Sequence, residues 1–455
     1  MHCGSDHVAG RKRPDRLAVW SRVGRDTAVF AGAAMLMAVL QAAFRLLAIH
    51  DLSIESYGRA ALLLSVFNFA LVFANFGVPA AAARLAARST GLTRGRDVLA
   101  SVTKAAVIPS LAAGLALGLT TLALTNSIGL AVVCAAGVFP MVVSGVYAGF
   151  VRGRGFVWSS ASVQPVNVVV QLLVLLAISA SGVSVGVGDV LVSFCIGNVA
   201  AFVLSLAYIE RWRRSVHELD SPPDTEVGPR RVLAFSAWLS LANAAVIGLA
   251  LIPRVALAHL SYADVASFDL ALLVYSIPQR LTASLVIALI PLAAARQVAG
   301  SRITLPTATD AVVLMVALVV CDAILWWSHA LSDVLNAVGL THYTGAEPFL
   351  LIFLLAAPAE VFFSIDAAVL QAFGRSRSLA SLVLTVLGLS TVAALVAVQA
   401  GPNWLALVLA VDYWALYLAS RRLTPPEVIR RSIFARFLFT TRGASHLEPG
   451  SSRAE

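Results

Sequence analysis

Long apolar runs follow one another between residues 28 and 419, and short polar segments separate them. Each run is about 20 residues long, which is the length a helix needs to cross the ~30 Å hydrocarbon core of a bilayer. The pattern predicts an all-α polytopic membrane protein with about twelve transmembrane helices. The predicted spans are 28–48, 59–80, 101–123, 128–150, 162–180, 189–208, 232–257, 266–292, 307–327, 347–372, 378–399 and 403–419.

The longest internal polar segment divides these spans into two groups of six. The predicted organisation is a basic tail (1–27), a six-helix bundle (28–209), a linker (210–231), a second six-helix bundle (232–420) and a basic tail (421–455) that is either irregular or contains a short interfacial helix. The two halves share a pattern at an offset of 209 residues, since Arg45, His50 and Glu55 correspond to Arg254, His259 and Asp264. Two groups of six imply parallel repeats with a site between them.

Basic residues are concentrated in every second segment between the predicted helices, and therefore on one side of the membrane. Both tails and the segments after every second span carry arginines, whereas the long segment 329–347 on the other side has no Lys or Arg. Since cytoplasmic segments collect Lys and Arg, the alternation places both termini in the cytoplasm.

Composition excludes an ordinary soluble domain. Hydrophobic residues make up 59% of the 455 positions and charged residues 13%, with a net charge of +9, against about 25% charged in soluble proteins. The cytoplasmic arginines account for the positive charge, so no nucleic-acid partner is expected. The chain has no nucleotide-binding motif and no metal-ligand spacing of His or Cys, so we expect neither an enzyme nor a cofactor.

One stretch carries a family resemblance. FRLLAIHDLSIESYGRAALLLSVFNFALVFANFGVPAAAARLAAR (44–88) resembles the opening of polysaccharide-type lipid-carrier flippases, with a short turn that ends in Tyr57-Gly58. These flippases belong to the multidrug/oligosaccharidyl-lipid/polysaccharide exporter superfamily. Segment 264–296 resembles the same family, including Pro291 near the end of its helix. The resemblance implies two six-helix bundles around a V-shaped cavity that alternates its opening.

Arginines inside apolar spans are the strongest candidates for substrate binding, because an unpaired charge at the bilayer centre is costly. Arg280 lies near the middle of span eight, on one helix face with Asp269 and Ser276. It could bind an anionic group or pair with a carboxylate such as Glu360. Arg45 and Arg254 lie near the predicted outer ends of spans one and seven, where they could bind substrate or extend to the lipid headgroups.

Polar stripes at helical spacing mark further candidates. They are Asn68 and Asn75 in span two, Gln164, Asn167 and Gln171 in span five, and Glu360, Ser364 and Gln371 in span ten. Amides suit sugar hydroxyls but also join helices to one another, and the sequence favours neither. Asp322, Asp269 and Asp366 are the candidates for coupling to a cation or a proton.

These observations, with the resemblance, lead to an expected function. The chain would move a polyprenyl-pyrophosphate-linked oligosaccharide from the cytoplasmic to the outer leaflet of a bacterial inner membrane, for polysaccharide biosynthesis. Its partners would be the glycan lipid, membrane lipid and other glycan-assembly proteins such as a polymerase. The alternatives are a flippase for lipid-linked peptidoglycan precursor and a cation-coupled multidrug exporter of the same superfamily.

Overall fold

The computed structural model describes residues 16–88, 92–215, 229–276, 303–305, 307–327, 340–343, 345–425 and 428–430, with isolated positions at 333, 336 and 337. Thirteen helices account for most of these residues. They are α1 Arg16–Asp51, α2 Ile54–Asn75, α3 Val78–Arg88, α4 Leu92–Thr125, α5 Ile128–Gly153, α6 Val157–Ala180, α7 Val187–Ser215, α8 Pro229–Leu260, α9 (described over 262–276), α10 Ala308–Trp327, α11 Ala346–Ala372, α12 Ser376–Ala400 and α13 Pro402–Leu423.

Ten helical segments among the described residues are long and apolar enough to cross a membrane, with α2 and most of α3 counted as one segment. Helix α10 contains a shorter apolar stretch, Thr309–Cys321. The rest of predicted span eight, after residue 276, lies outside the described residues. The expected fold class, an all-α polytopic membrane protein, is confirmed.

The helices form two packed groups. Helices α1 to α7 pack on one another, and α8 packs with α12 and α13 in the second group, where α11 contacts α10 and α13. Between the groups, α2 makes the main contact with α8, and α3 and α4 touch it as well. The predicted linker 210–231 is helical up to Ser215 and again from Pro229, and the exact bundle boundaries remain a prediction.

Predicted span two is broken near its predicted cytoplasmic end. Helix α2 starts on Ser53, whose side chain accepts a hydrogen bond from the Ser56 N–H at 3.3 Å. It ends where Phe76 (φ 41°) and Gly77 (φ 64°) adopt left-handed backbone, and α3 begins at Val78. Irregular backbone at membrane depth is tolerated where it lines a cavity or is buried in protein, so this break points to a cavity.

The C-terminal segment departs from expectation. Val428–Arg430 forms a short strand that pairs in parallel with Ile303–Leu305. The interfacial helix expected in the tail is therefore wrong over these three residues, because backbone pairing with a neighbouring segment satisfies their N–H and C=O groups instead. The tail after residue 430 lies outside the described residues.

Candidate functional site

A cavity lies between the two groups of helices. Its outer compartment, about 520 Å³, is lined by α1, α2, α5, α8, α9, α11 and α13. Its inner compartment, about 640 Å³, is lined by α2, α3, α8, α11 and α12 and the turn between α2 and α3. The two compartments share Val72, Asn75, Val246, Ile247 and Glu360, so they form one continuous path along the interface.

Asp269 of α9 is buried at the outer end of this cavity, where it has three hydrogen-bond partners. Arg45 of α1 donates a hydrogen bond to Asp269 Oδ2 at 2.7 Å, and the Tyr57 hydroxyl of α2 donates to the same oxygen at 2.8 Å. Arg254 of α8 donates to Asp269 Oδ1 at 2.6 Å. One carboxylate therefore joins α1 and α2 to α8 and α9, which are helices of different groups. We call these four residues the Asp269 cluster.

The Asp269 cluster is well buried. The Asp269 side chain is 2% exposed, that of Arg254 is 10% exposed and that of Arg45 is 23% exposed. Arg254 also donates to the Ala250 carbonyl at 3.2 Å and lies over the Phe268 ring at 5.7 Å. Two guanidinium groups share one carboxylate, so the cluster keeps one positive charge in excess, and Arg45 and Arg254 both line the outer compartment.

Two helical hairpins bring the cluster together. Arg254 precedes the turn at Ser261 by seven residues, and Asp269 follows it by eight. The two side chains therefore lie at the same height on antiparallel neighbours. Arg45 and Tyr57 flank the turn after Asp51 in a similar way. At the 209-residue offset the counterpart of Asp269 is Ala60, so the first half supplies an arginine without a matching carboxylate.

Close packing also closes the outer end. A Cβ atom on Gly58 of α2 would lie 1.8 Å from the Tyr262 carbonyl oxygen, so glycine allows α2 and the start of α9 to touch. The Arg59 guanidinium lies 5.0 Å from the centre of the Tyr262 ring. The Tyr343 ring, in the turn Thr341–Tyr343, packs edge-on against Tyr57 at 6.3 Å. At the opposite end of the cavity, the inner compartment reaches Gln371, near the predicted cytoplasmic end of α11.

Several polar atoms in the cavity wall lack a hydrogen-bond partner among the described residues. They are Asn75 Oδ1, Arg254 Nε and Ser240 Oγ, all of them buried. A buried polar group without a partner costs about 1–3 kcal/mol. Asn68 and Ser276 line the outer compartment, while Asn243, Ser364 and Gln371 line the inner one. The wall therefore offers donors and acceptors to a polar ligand.

Glu360 lies where the two compartments meet. It accepts a hydrogen bond from the Tyr275 hydroxyl, and Tyr413 lines the outer compartment beside it. The sequence singled out Glu360, and the structure places it in the cavity wall. Its tyrosine partners were not anticipated, because each comes from a different helix and shares no spacing with Glu360 in the sequence.

The amide stripe of α6 lies elsewhere. Asn167 donates to Asn198 Oδ1 of α7 at 3.1 Å, and Gln171 donates to Asn167 Oδ1 at 2.7 Å. Asn167 and Gln171 are 2% and 3% exposed and do not line the cavity, nor does the half-buried Gln164. Of the two roles that the sequence left open for these amides, helix-to-helix bonding is the one that Asn167 and Gln171 have in this structure, because they satisfy one another and Asn198 within the first group of helices.

Replacing Asn167 with leucine should therefore destabilise the protein without altering its substrate site. The variant leaves Gln171 Nε2 and Asn198 Oδ1 short of a partner, at about 1–3 kcal/mol for each buried group. Thermal unfolding in detergent would show the loss, and transport per folded molecule should be unchanged. Gln164→Leu on the same helix is the matched control. A selective loss of transport in Asn167→Leu at normal stability would contradict this assignment.

The remaining predicted site residues do not lie together in the cavity. Arg280 lies outside the described residues, and so does the side chain of Asp322 in α10. Asp366 is buried away from both compartments and accepts a hydrogen bond from the Ser420 hydroxyl of α13 at 3.1 Å. Asp269 is bound by Arg45, Arg254 and Tyr57 rather than exposed to a cavity ion.

Two further features of the site, besides the tyrosines beside Glu360, were not predicted from the sequence. The break after α2 has a local signal, Asn75-Phe76-Gly77-Val78-Pro79, since glycine and proline mark turns. Tyr57 was identified as part of a turn motif, whereas its contact with Asp269 depends on how the two groups of helices meet. The first feature could have been found in the sequence, and the second could not.

Comparison with solved structures identifies the fold. No family model and no curated protein matches the chain. Lipid II flippase MurJ in an inward closed conformation matches with a TM-score of 0.61 and 10% identity, over 95% of this chain and 94% of that one. A mutant of the Vibrio cholerae MATE transporter VcmN matches at 0.60 and 12%, over 90% and 97%. An outward-facing multidrug resistance MATE family transporter of the MOP superfamily matches at 0.57 and 15%, over 93% and 97%. At such identities the likeness establishes a shared fold.

Proposed function

We propose that this chain is a flippase for a polyprenyl-pyrophosphate-linked oligosaccharide, which it moves from the cytoplasmic to the outer leaflet of a bacterial inner membrane. The observation that carries the proposal is the arginine pair at the outer end of the cavity. Arg45 and Arg254 share a single carboxylate, and Arg254 Nε has no partner among the described residues. Arginine forms strong, charge-assisted hydrogen bonds with phosphate groups.

The rest of the cavity suits the glycan. Sugar hydroxyls both donate and accept hydrogen bonds, and side-chain amides offer both functions. Asn68 and Asn75 in the outer compartment and Asn243 and Gln371 in the inner one supply such groups along the path. The pyrophosphate would bind Arg45 and Arg254 while the sugars lie against these amides.

Alternating access would follow from separation of the two groups of helices at their outer ends. The hydrogen bonds to Asp269 from Arg45 and Tyr57 cross the interface, while the bond from Arg254 stays within the second group. Opening must therefore break the Arg45 and Tyr57 bonds but can keep the Arg254 bond. An anionic headgroup between the two arginines would take over part of the role of Asp269, which lowers the cost of opening.

The proposal is tested in proteoliposomes with a polyprenyl-pyrophosphate oligosaccharide that carries a fluorophore on its glycan. Membrane-impermeant dithionite then reports how fast the glycan crosses the bilayer. We expect rapid crossing with the native chain. In Arg254→Ala the initial rate should fall about tenfold or more, since a charge-assisted hydrogen bond is worth about 1.5–3 kcal/mol. Arg254 is chosen because Asp269 keeps Arg45 as its partner in this variant.

Arg213→Ala is the matched control, because Arg213 is exposed at the end of α7 and pairs with Glu210 at 3.7 Å. It should transport at the native rate. No crossing by the native chain, or equal crossing in native and Arg254→Ala proteins, would refute the proposal. A probe with a peptide-bearing peptidoglycan precursor headgroup separates the two flippase substrates.

A multidrug exporter is the second candidate. Glu360 and Tyr413 give the wall of the outer compartment an acidic and an aromatic side chain that a lipophilic cation could bind. Ethidium efflux from the same proteoliposomes under an imposed ion gradient tests this. Efflux that needs Glu360 but not Arg254 would favour the exporter over the flippase.

A further inference from the structure

We propose that a groove between α2 and α8 holds the hydrocarbon chain of the transported lipid while its headgroup lies in the inner compartment, before the headgroup reaches the arginines at the outer end. The inference rests on the proposed function and adds a site for the lipid part of the substrate. The groove, about 150 Å³, is lined by Phe73, Phe76, Ala237, Trp238, Ser240 and Leu241. We call it the tail groove.

The tail groove opens toward the lipid. Phe73 and Trp238 are each 41% exposed, although both lie within membrane-spanning helices. The lining is apolar apart from Ser240, and an apolar cavity of this volume holds a hydrocarbon about the size of benzene. The groove therefore accommodates a short section of a branched chain whose remainder stays in the bilayer.

The tail groove is continuous with the polar cavity. Ser240 lines both the groove and the inner compartment, and its buried hydroxyl has no hydrogen-bond partner among the described residues. The inner compartment also contains Asn75, whose Oδ1 atom is equally without a partner. A molecule that spans this junction needs a hydrocarbon part on one side and polar groups on the other.

Backbone strain supports the same assignment. Phe76 is a non-glycine residue at φ 41° and ψ 31°, and left-handed backbone costs an aromatic residue free energy that its surroundings must supply. This conformation ends α2 and places Phe76 in the groove while its neighbour Gly77 lines the inner compartment. The turn thus connects the groove to the headgroup path.

The tail groove differs from ordinary lipid-facing surface because it lies at the interface between the two groups of helices. Many apolar side chains of this protein are exposed, as expected for a membrane protein, but the groove lies where α2 meets α8 across the two groups. Arg377 at the start of α12 lies over the Trp238 ring at 5.4 Å and places a cation at the groove. An anionic lipid entering here meets a positive charge before it reaches the cavity.

Photocrosslinking of the full chain in proteoliposomes tests the tail groove. The probe is a polyprenyl phosphate with a diazirine in the isoprene units nearest the phosphate, and the comparison probe is a phosphatidylcholine with a diazirine at matched depth. Peptide mass spectrometry locates the labelled residues. We expect the polyprenyl probe to label 73–76 and 237–241 about tenfold more than the lipid-exposed side chains of Val203 and Leu206, which lie near the same predicted side of the membrane on α7, as burial of an aromatic contact would give. The phosphatidylcholine probe should label both regions alike.

Trp238→Ala should reduce labelling of the groove by the polyprenyl probe about tenfold. Trp158→Ala is the matched control, since Trp158 is 72% exposed at the start of α6, on the same predicted side of the membrane, and lies outside the groove. Phe73→Ala gives a second variant in the groove in case Trp238→Ala folds poorly. Unfolding temperatures establish that all variants are intact.

Equal labelling of the groove by both probes would overturn the inference, since it would mean ordinary boundary lipid. Polyprenyl labelling concentrated elsewhere, together with normal glycan crossing by the native chain, would overturn the tail groove and leave the flippase proposal standing. Loss of both the enrichment and the crossing would overturn both. The crossing assay therefore separates failure of the groove from failure of the proposed function.

Discussion

Replacing Asp269 with alanine is expected to lower the free energy of unfolding by about 3–5 kcal/mol, because it leaves buried arginines without their counter-charge. The side chains of Arg254 and Arg45 are only 10% and 23% exposed, so water can replace the lost carboxylate only in part. Tyr57 loses the acceptor of its hydroxyl as well. Unfolding followed by denaturant or heat in a fixed detergent should show the loss.

A double-mutant cycle makes this prediction specific. Removing Arg45 together with Asp269 should lower the free energy of unfolding by less than the sum of the two single changes. Residues in direct contact are coupled by about 0.5–3 kcal/mol. Glu210→Gln is the control, because Glu210 pairs with Arg214 at 3.1 Å at an exposed site. Such surface pairs contribute about 0–1 kcal/mol. Additive losses at Arg45 and Asp269 would show that their 2.7 Å contact is energetically unimportant.

Replacing Gly58 with alanine should open the outer end of the cavity. The new methyl group would lie 1.8 Å from the Tyr262 carbonyl oxygen, so α2 and α9 must move apart. Forcing an extra group into tight packing costs about 1–3 kcal/mol. Since the contact exists where the two groups of helices meet at the outer end, the variant penalises the closed arrangement in particular.

Thiol labelling measures this opening. With the native cysteines replaced, a cysteine introduced at Ser65 in the wall of the outer compartment reports access from outside to a membrane-impermeant maleimide. Gly58→Ala should increase the labelling rate about tenfold or more, as the 1–3 kcal/mol penalty implies. Gly388→Ala is the control, since a Cβ atom there meets nothing within 4 Å. An unchanged rate in Gly58→Ala would show that this contact does not hold the outer end closed.

Much of the architecture could be read from the pattern of apolar residues. Runs of about 20 residues must be helices, because only internal hydrogen bonding satisfies the backbone in lipid. The observed helices accordingly agree with most of the predicted spans. The same pattern could not show that Val428–Arg430 pairs with Ile303–Leu305, since the contact joins segments more than 120 residues apart.

Only part of the candidate site could be predicted from the pattern of polar and apolar residues. Asn68, Asn75 and Glu360 line the cavity, while Asn167 and Gln171 bind one another inside the first group of helices, and the sequence had left both arrangements open for all of them. All five are polar residues in apolar helices. Helical spacing identifies which residues share a face, but it does not say whether that face meets a neighbouring helix or a cavity.

The surroundings of Asp269 show which properties of the site follow from the sequence and which depend on the tertiary structure. The sequence alone determined that Arg45, Arg254 and Asp269 are charges inside a membrane protein, and that each must therefore find a partner or water. It also related Arg45 to Arg254 through the 209-residue offset. Tertiary structure alone decided that a single carboxylate serves both arginines, because Arg45 and Asp269 are 224 residues apart. The two meet because the two groups of helices close against each other at their outer ends, and that closure depends on packing across the interface rather than on any local pattern.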